Sequence, residues 1–439
     1  MLKETIENQQ LFPVHEHIGS LTSFGFRPDN LFPSDVTPDL QPERTGLVEL
    51  FFSPYLSSLM FENGAVFPLP EDMVDEKYRV RTIKALLIIF QKTIGTGLWE
   101  ALIIAFRNLY QCDLTTLMDD DTEILRIDNQ IAINYSNYYE WIENVMTKSK
   151  TIYVLKPVHP EFLVHALRGD GVKESAFSSP ILRVDSLVGF PDEKKILDFG
   201  GITQASGIEI NDIDSLDKSI EWFFDLVDQS KCKSIKQLQA YYRPISIENV
   251  TRDQACQAFR EIITARGSSL KVNQKTIYTL QDYTLRRILE EAQKRMLPYQ
   301  IHTGMATLKY SNPGLLEDLF KKYPNVKFVL LHTYPFVSEA AYLARTYPNV
   351  YLDTSWQALQ SSAILKKCLN EWVGMVPFMK ITASVDATNI EEYYGGQQIT
   401  RRVLCDILQK RIQEEQIDQK VACEIAKSIL CDNARRLYT

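Results

Sequence analysis

Two rhythms of apolar and polar residues run along the 439-residue chain. The first is a set of short runs rich in β-branched residues, bounded by Gly, Pro, Asn or Asp. They are LFPVHEH, KTIYVLKPV, SPILRVDSLV, KCKSIKQLQ, LPYQIHTGM, VKFVLLHTY, NVYLDTSW and MKITASVDA, eight candidate strands in all. Between most of them apolar residues recur every three to four positions, the period of a helix with one buried face. These stretches are SLDKSIEWFFDLVDQSK, which opens with a serine as cap, TRDQACQAFREIITARG, YTLQDYTLRRILEEAQKRM, NPGLLEDLFKKYP and VSEAAYLARTYP. Strands that alternate with helices form a parallel sheet. Eight such units predict an α/β fold, a (β/α)8 TIM barrel spanning residues 1–439 as one domain.

Two regions depart from this rhythm. Residues 38–148 hold helical stretches, KYRVRTIKALLIIFQKTI and GLWEALIIAFRNLYQ among them, and no convincing strand. They are expected to form an inserted helical subdomain after the first strand, lying over the C-terminal mouth. From Gly396 to Tyr438 the pattern predicts C-terminal helices, ITRRVLCDILQKRIQEEQ and KVACEIAKSILCDNARRLY. Loops are expected around Asp192 and Ser268.

Composition narrows the class. Hydrophobic residues make up 45%, enough for a large core. With 48 Lys and Arg against 56 Asp and Glu the net charge is −8, and no basic run offers a nucleic-acid backbone a partner. The seven cysteines are scattered and form no C-x-x-C pair, which fits neither a disulfide framework nor a thiolate zinc site. The polar start MLKETIENQQ is unlike a signal peptide, and ALLIIF and ALIIAF are too short to span a bilayer. A soluble cytoplasmic protein with a small-molecule substrate is expected, without nucleic-acid or membrane partners. Homo-oligomerisation is left open.

Chemistry enters at the ends of the predicted strands, where barrel enzymes build their sites. The first strand ends in His15-Glu16-His17, and alternate residues of a strand share a face. The third carries Arg183 and Asp185, and the fourth Lys236, with Tyr241 and Arg243 just beyond. The fifth ends at His302, the sixth at His332 and the eighth at Asp386, so four of the six histidines fall on strand ends. The other two, His159 and His165, fall in the connection after the second strand and carry no expected role. Imidazole and carboxylate suit a divalent metal, zinc first, and a site with an open position activates water. His15, His17, His302 and Asp386 are the candidate ligands. Asp386, His332 and Lys236 are the candidate catalytic groups, Asp386 as general base. Arg183 and Arg243 suit a substrate carboxylate, since guanidinium binds it bidentately. Tyr241 and Trp356 are candidates for the pocket wall. Each has a plainer reading: hydrogen-bonded histidines, a helix cap at Asp386, a solvated Lys236, arginines in structural ion pairs and aromatic packing.

The pattern resembles the amidohydrolase superfamily of metal-dependent barrels. The likeness is carried by VHEHIGS, IKQLQAYYRP, QIHTGM, LLHTYPFVSEAAYLARTYPNVYLDTSW and DNARRLY. It is strongest toward the amidohydrolase-related subgroup that includes domains fused to glutamine-synthetase-like proteins. A more distant likeness to uronate isomerases lies in RVD and ITRRVLCDIL. The resemblance implies a centre of one or two metals, with His15 and His17 as first-strand ligands, His302 and His332 as the fifth- and sixth-strand histidines and Asp386 as the eighth-strand aspartate. Lys236 stands where some relatives place a bridging, carbamylated lysine. SVDA replaces the GSDA or GTDA usual in relatives. The implied activity is hydrolysis of an amide, ester or lactone on a small, carboxylate-bearing molecule. An isomerase or lyase on the same scaffold is the alternative. A non-catalytic metal-binding scaffold is a third reading, against which the full ligand set argues.

Overall fold

The computed structural model describes residues 1–18, 45–66, 75–160, 177–190, 193–201, 203–266 and 271–439. Its centre is one parallel sheet of seven strands in sequential order. These are β1 (Val154–Val158), β2 (Ser178–Arg183), β3 (Ser234–Gln237), β4 (Tyr299–His302), β5 (Phe328–Leu331), β6 (Val350–Asp353) and β7 (Ile381–Thr382). All six adjacent pairings are parallel. Apolar β-branched runs suit strands buried on both faces, and every residue of β3, β4, β5 and β7 is buried.

The first predicted strand is not a regular one. Leu11 makes a single parallel bridge to Thr151, and Phe12–His17 continue as irregular extended chain. Pro13 has no N–H to give a ladder. The segment nevertheless joins the two edges of the sheet. On one side Leu155 N donates to Pro13 O at 3.1 Å and Glu16 N to Leu155 O at 3.0 Å. On the other His17 N donates to Ala387 O at 2.9 Å and Val14 N to Ser384 Oγ at 2.9 Å. The eighth position of a TIM-barrel-like α/β fold is thus filled by irregular chain held by both backbone and side-chain bonds.

The predicted helices are present, with shifted ends. The helix expected to start on a serine cap runs Ile213–Gln229; its cap is Asp212, whose carboxylate accepts from Ser215 N at 2.8 Å. The long C-terminal helix is Ile390–Gln413, beginning before Gly396. Gly395 and Gly396 lie inside it because nothing larger fits. A Cβ on Gly395 would sit 2.0 Å from Ala101 O, and one on Gly396 2.3 Å from a Val385 methyl. Among the described residues no helix is long and apolar enough to cross a membrane. The loops expected at Asp192 and Ser268, residues 38–44 and His165 lie outside the described residues.

Described residues between 45 and 149 form helices, among them Pro54–Glu62, Glu76–Gln91, Gly97–Ala105, Asp121–Ser136 and Tyr138–Ser149. Buried carboxylates tie them together. Arg79 on helix Glu76–Gln91 bonds Glu49 at 2.7 Å and Asp128 at 2.5 Å, all three nearly inaccessible. Glu391 accepts from Tyr110 and Tyr135 at 2.6 Å each and from Trp141 at 3.0 Å, joining these helices to Ile390–Gln413. Removing one partner of a buried ion pair strands the other charge in low dielectric. Arg79→Met strands two carboxylates, so its unfolding free energy in urea should fall by about 3–5 kcal/mol, with the denaturant slope unchanged.

Candidate metal centre

His15, His17 and Asp386 converge from opposite ends of the chain. Each offers a ligand atom within 4.8 Å of the other two. Asp386 Oδ1 lies 3.4 Å from His15 Nε2 and 3.3 Å from His17 Nε2. These approaches are not ion pairs, because burial pushes both imidazoles well below their ordinary range. The nearby Lys236 charge lowers them further. His302 and His332 are pushed down likewise, burial again leading. Four neutral imidazoles therefore present lone pairs to one space.

The His15 tautomer follows from its neighbour. Gln300 Nε2 donates to Val14 O at 2.8 Å, and a carbonyl only accepts. Gln300 Oε1 must then accept from His15 Nδ1–H, 2.8 Å away. That leaves the lone pair on Nε2, the atom facing Asp386, in the arrangement usual for a metal-binding histidine. Among the described residues His15 Nε2, His17 Nδ1, Asp386 Oδ1 and both His302 nitrogens are buried without a hydrogen-bond partner. Buried polar atoms are seldom left so. A divalent cation between His15, His17 and Asp386 satisfies the first and third at once, so these residues fit the metal expected from the sequence.

Backbone geometry aims several of these side chains. His332 follows β5 with φ +57°, Trp356 follows β6 with φ +67°, and Asp386 follows β7 with φ +63°. The left-handed region costs a non-glycine residue of order 1–3 kcal/mol and is held only where packing insists. At His332 it turns inward a side chain that strand alternation would send out, bringing its ring 5.5 Å from His15 and 4.2 Å from His302. His302 sits outside the three-residue group, its ring between His332 and Tyr241, the latter 4.8 Å away.

The remaining predicted residues separate into two sets. Lys236, Arg183, Tyr241 and Trp356 border the centre. Lys236 pairs in register with Arg183 on β2 and Gln300 on β4 and is buried. Arg183 Nε reaches Asp185 at 3.4 Å. Tyr241 is 39% exposed at the rim, its hydroxyl on Met305 O at 3.3 Å. Trp356 lies edge-on to His332 at 5.7 Å. Arg243, expected on a substrate acid, is committed elsewhere. Its Nη2 pairs with Asp282 at 2.8 Å, Nη1 donates to Gln281 and the Tyr278 carbonyl, and its guanidinium covers the Tyr278 ring. The plain ion-pair reading describes it, because a buried guanidinium takes the nearest buried carboxylate.

Three residues join the site that sequence reasoning missed. Tyr55, on helix Pro54–Glu62, donates its hydroxyl to Asp386 Oδ2 at 3.1 Å and stacks on Trp356 at 4.8 Å. Nothing in its surroundings in the sequence marks it. Glu16 accepts from Val385 N at 2.7 Å and Ala387 N at 2.9 Å, gripping the backbone on both sides of Asp386. Alternation was the available signal: a residue between two inward histidines points the other way. His159, expected to have no role, directly follows β1; burial pulls its imidazole down to about 4 and the Arg183 charge adds to this.

A parallel sheet with helices between its strands, carrying histidines and an aspartate at the strand C-termini, defines a barrel-type architecture with metal-ligand side chains gathered at one end. Comparisons agree. Residues 264–373 match the family model described as amidohydrolase. Over 194 residues the chain is 33% identical to protein fluG of Emericella nidulans, a match spanning 41% of this chain and 22% of that protein. The chain thus spans about a fifth of that relative. Similar solved structures include a uronate isomerase from Thermotoga maritima, with TM-score 0.75 and 15% identity over 100% of this chain and 96% of that one. A glucuronate isomerase from Caulobacter crescentus gives 0.76 and 15% over 100% and 92%. A Lactobacillus casei protein described as a metal-dependent hydrolase gives 0.61 and 19% over 100% and 97%. At these identities the structures speak for the fold. The resemblance to the amidohydrolase superfamily, with uronate isomerases as fold relatives, holds. The amidohydrolase match together with the His15–His17–Asp386 group implies a divalent metal.

Burial raises the Asp386 carboxyl to about 8, while Lys236 and the Tyr55 hydrogen bond pull it down. The metal-free site therefore holds a proton at neutral pH that a cation must displace. Zinc binding at about pH 7 should release close to one proton, read by calorimetry in buffers of different ionisation enthalpy, and the release should vanish near pH 9. In Tyr55→Phe the carboxylate loses a donor, so the release should persist to higher pH.

Proposed function

We propose that this chain is a metal-dependent hydrolase acting on a small, carboxylate-bearing substrate of amide, ester or lactone type. The observation that carries the reading is the meeting of His15 Nε2, His17 and Asp386 Oδ1 around one point, buried and without other partners. His15, His17 and Asp386 would hold a divalent ion, zinc by the donor set, which would polarise a carbonyl oxygen and make water acidic. The chain's own groups supply the rest. Asp386 is the proton acceptor; Tyr55 holds its Oδ2 while Oδ1 faces the imidazoles. His332 Nδ1, 3.6 Å from Asp386 Oδ2, carries the hydrogen that the Ser355 carbonyl accepts at 3.3 Å, so only its Nε2 is left with a lone pair. Tyr241 and Trp356 flank the substrate. Burial of His15, His17, His302, His332 and Asp386 keeps bulk water from the reacting groups.

Residues 38–148 belong to this reading as an inserted helical unit over the mouth. Tyr55 and Ser53 support it, the latter donating to Glu392 Oε1 at 2.9 Å. The charge balance and scattered cysteines support a cytoplasmic setting without nucleic-acid or membrane partners. Sugar-acid isomerisation is a second reading, favoured by the isomerases' higher TM-scores, 0.75 and 0.76 against 0.61.

A panel of amides, lactones and sugar acids, with products read by mass, separates the two. Incorporation of one water supports hydrolysis; a product of unchanged mass supports isomerisation. On the substrate so found, Asp386→Asn should lower turnover by on the order of 10²–10⁴-fold in protein checked for full zinc occupancy. Near-normal turnover at full occupancy moves the base to His332.

A further inference from the structure

Lys236 is 2% exposed, yet among the described residues no hydrogen bond or ion pair engages its ammonium. The nearby carboxylates are already taken. Asp185 accepts from Leu238 N at 2.5 Å and from Arg183 Nε at 3.4 Å. Asp386 faces two imidazoles and Tyr55. A buried charge without a partner is unfavourable unless a ligand completes it.

The neighbouring strands repeat the feature. Arg183 is the register partner of Lys236. It spends only Nε on Asp185, and among the described residues no acceptor lies on its two terminal nitrogens. Those nitrogens are the pair a carboxylate engages bidentately. Val158 pairs with Leu182, so the next residues, His159 and Arg183, continue the same row. Three nitrogen-bearing side chains therefore lie side by side at the ends of β1, β2 and β3. Lys236 pairs in register with Gln300, whose side chain bonds His15 Nδ1 at 2.8 Å, which places the row beside the metal centre.

We propose that Lys236 and Arg183, flanked by His159, form an anion subsite that receives the substrate carboxylate next to the His15–His17–Asp386 group. The substrate's role rests on the hydrolase reading; the binding of an anion does not. Charge balance favours it. A divalent ion more than neutralises Asp386, leaving the Lys236 charge wholly uncompensated. A single carboxylate offsets that charge and meets the free edge of Arg183. A neutral substrate leaves both cations as they were.

The test is calorimetric titration of the zinc-loaded protein with lactate and with lactamide, equal in skeleton and different in charge. Lactate should bind at least about tenfold more tightly than lactamide. Lys236→Met and Arg183→Gln should each weaken lactate by on the order of tenfold to a hundredfold, with lactamide affinity and zinc content unchanged. Equal binding of the two probes overturns the subsite. So does loss of zinc from Lys236→Met together with a carbamate adduct on the native chain, since Lys236 would then be a bridging ligand. Lactate binding without turnover of any amide, ester or lactone leaves the subsite standing and overturns the hydrolase reading alone.

Discussion

The grip of Glu16 on the backbone around Asp386 is the interaction on which the architecture rests. Its carboxylate, fully buried, accepts from the amides of Val385 and Ala387. Burial pushes the Glu16 carboxyl well above the usual carboxylate range, and the two amide bonds pull against that shift. The bond joins the start of the chain to the end of β7, across a position where backbone pairing is incomplete because Pro13 interrupts it. It also fixes the register of the two histidines against Asp386. One buried carboxylate thus completes the sheet and sets the geometry of the metal centre.

The centre is built from groups that burial has made uncomfortable. Imidazoles are kept neutral, the Asp386 carboxyl is raised, and burial pulls the Lys236 ammonium down to about 8. Each would be better off in water. Their cost is carried by the surrounding core. The left-handed backbone at His332, Trp356 and Asp386 is strain of the same kind, held by packing and directed at the same space.

The helices before β1 take part through equally buried polar groups. Glu391 collects Tyr110, Tyr135 and Trp141, while its neighbour Glu392 takes Ser53 and Thr388. Ser53 stands two residues before Tyr55, and Thr388 two after Asp386. The Tyr55–Asp386 hydrogen bond therefore lies within a second, firmer connection between the same segments. This explains how a residue on a helix outside the sheet is positioned at the metal centre.

Much of this was legible in the sequence because it depends on short-range periodicity. The spacing of His15 and His17 puts both on one face, and the β-branched runs before His302 and His332 mark parallel strands. The amphipathic stretches between them are helices near where their patterns lie. Other features depend on contacts between distant residues, which periodicity does not carry. A Gly-Gly pair reads as the edge of a helix, yet Gly395 and Gly396 sit inside one because Ala101 and Val385 leave no room for a Cβ. Arg243 and Arg183 look alike as candidate anchors; a buried Asp282 claims one, while among the described residues no acceptor lies on the other's terminal nitrogens. Tyr55 has no local mark at all. Sequence alone determined the kinds of groups at the strand ends, since alternation and chemistry are local. Which of them meet, which are paired off and which stay unsatisfied was decided only by tertiary packing, because partner choice in a low-dielectric core depends on what the fold brings within hydrogen-bond reach.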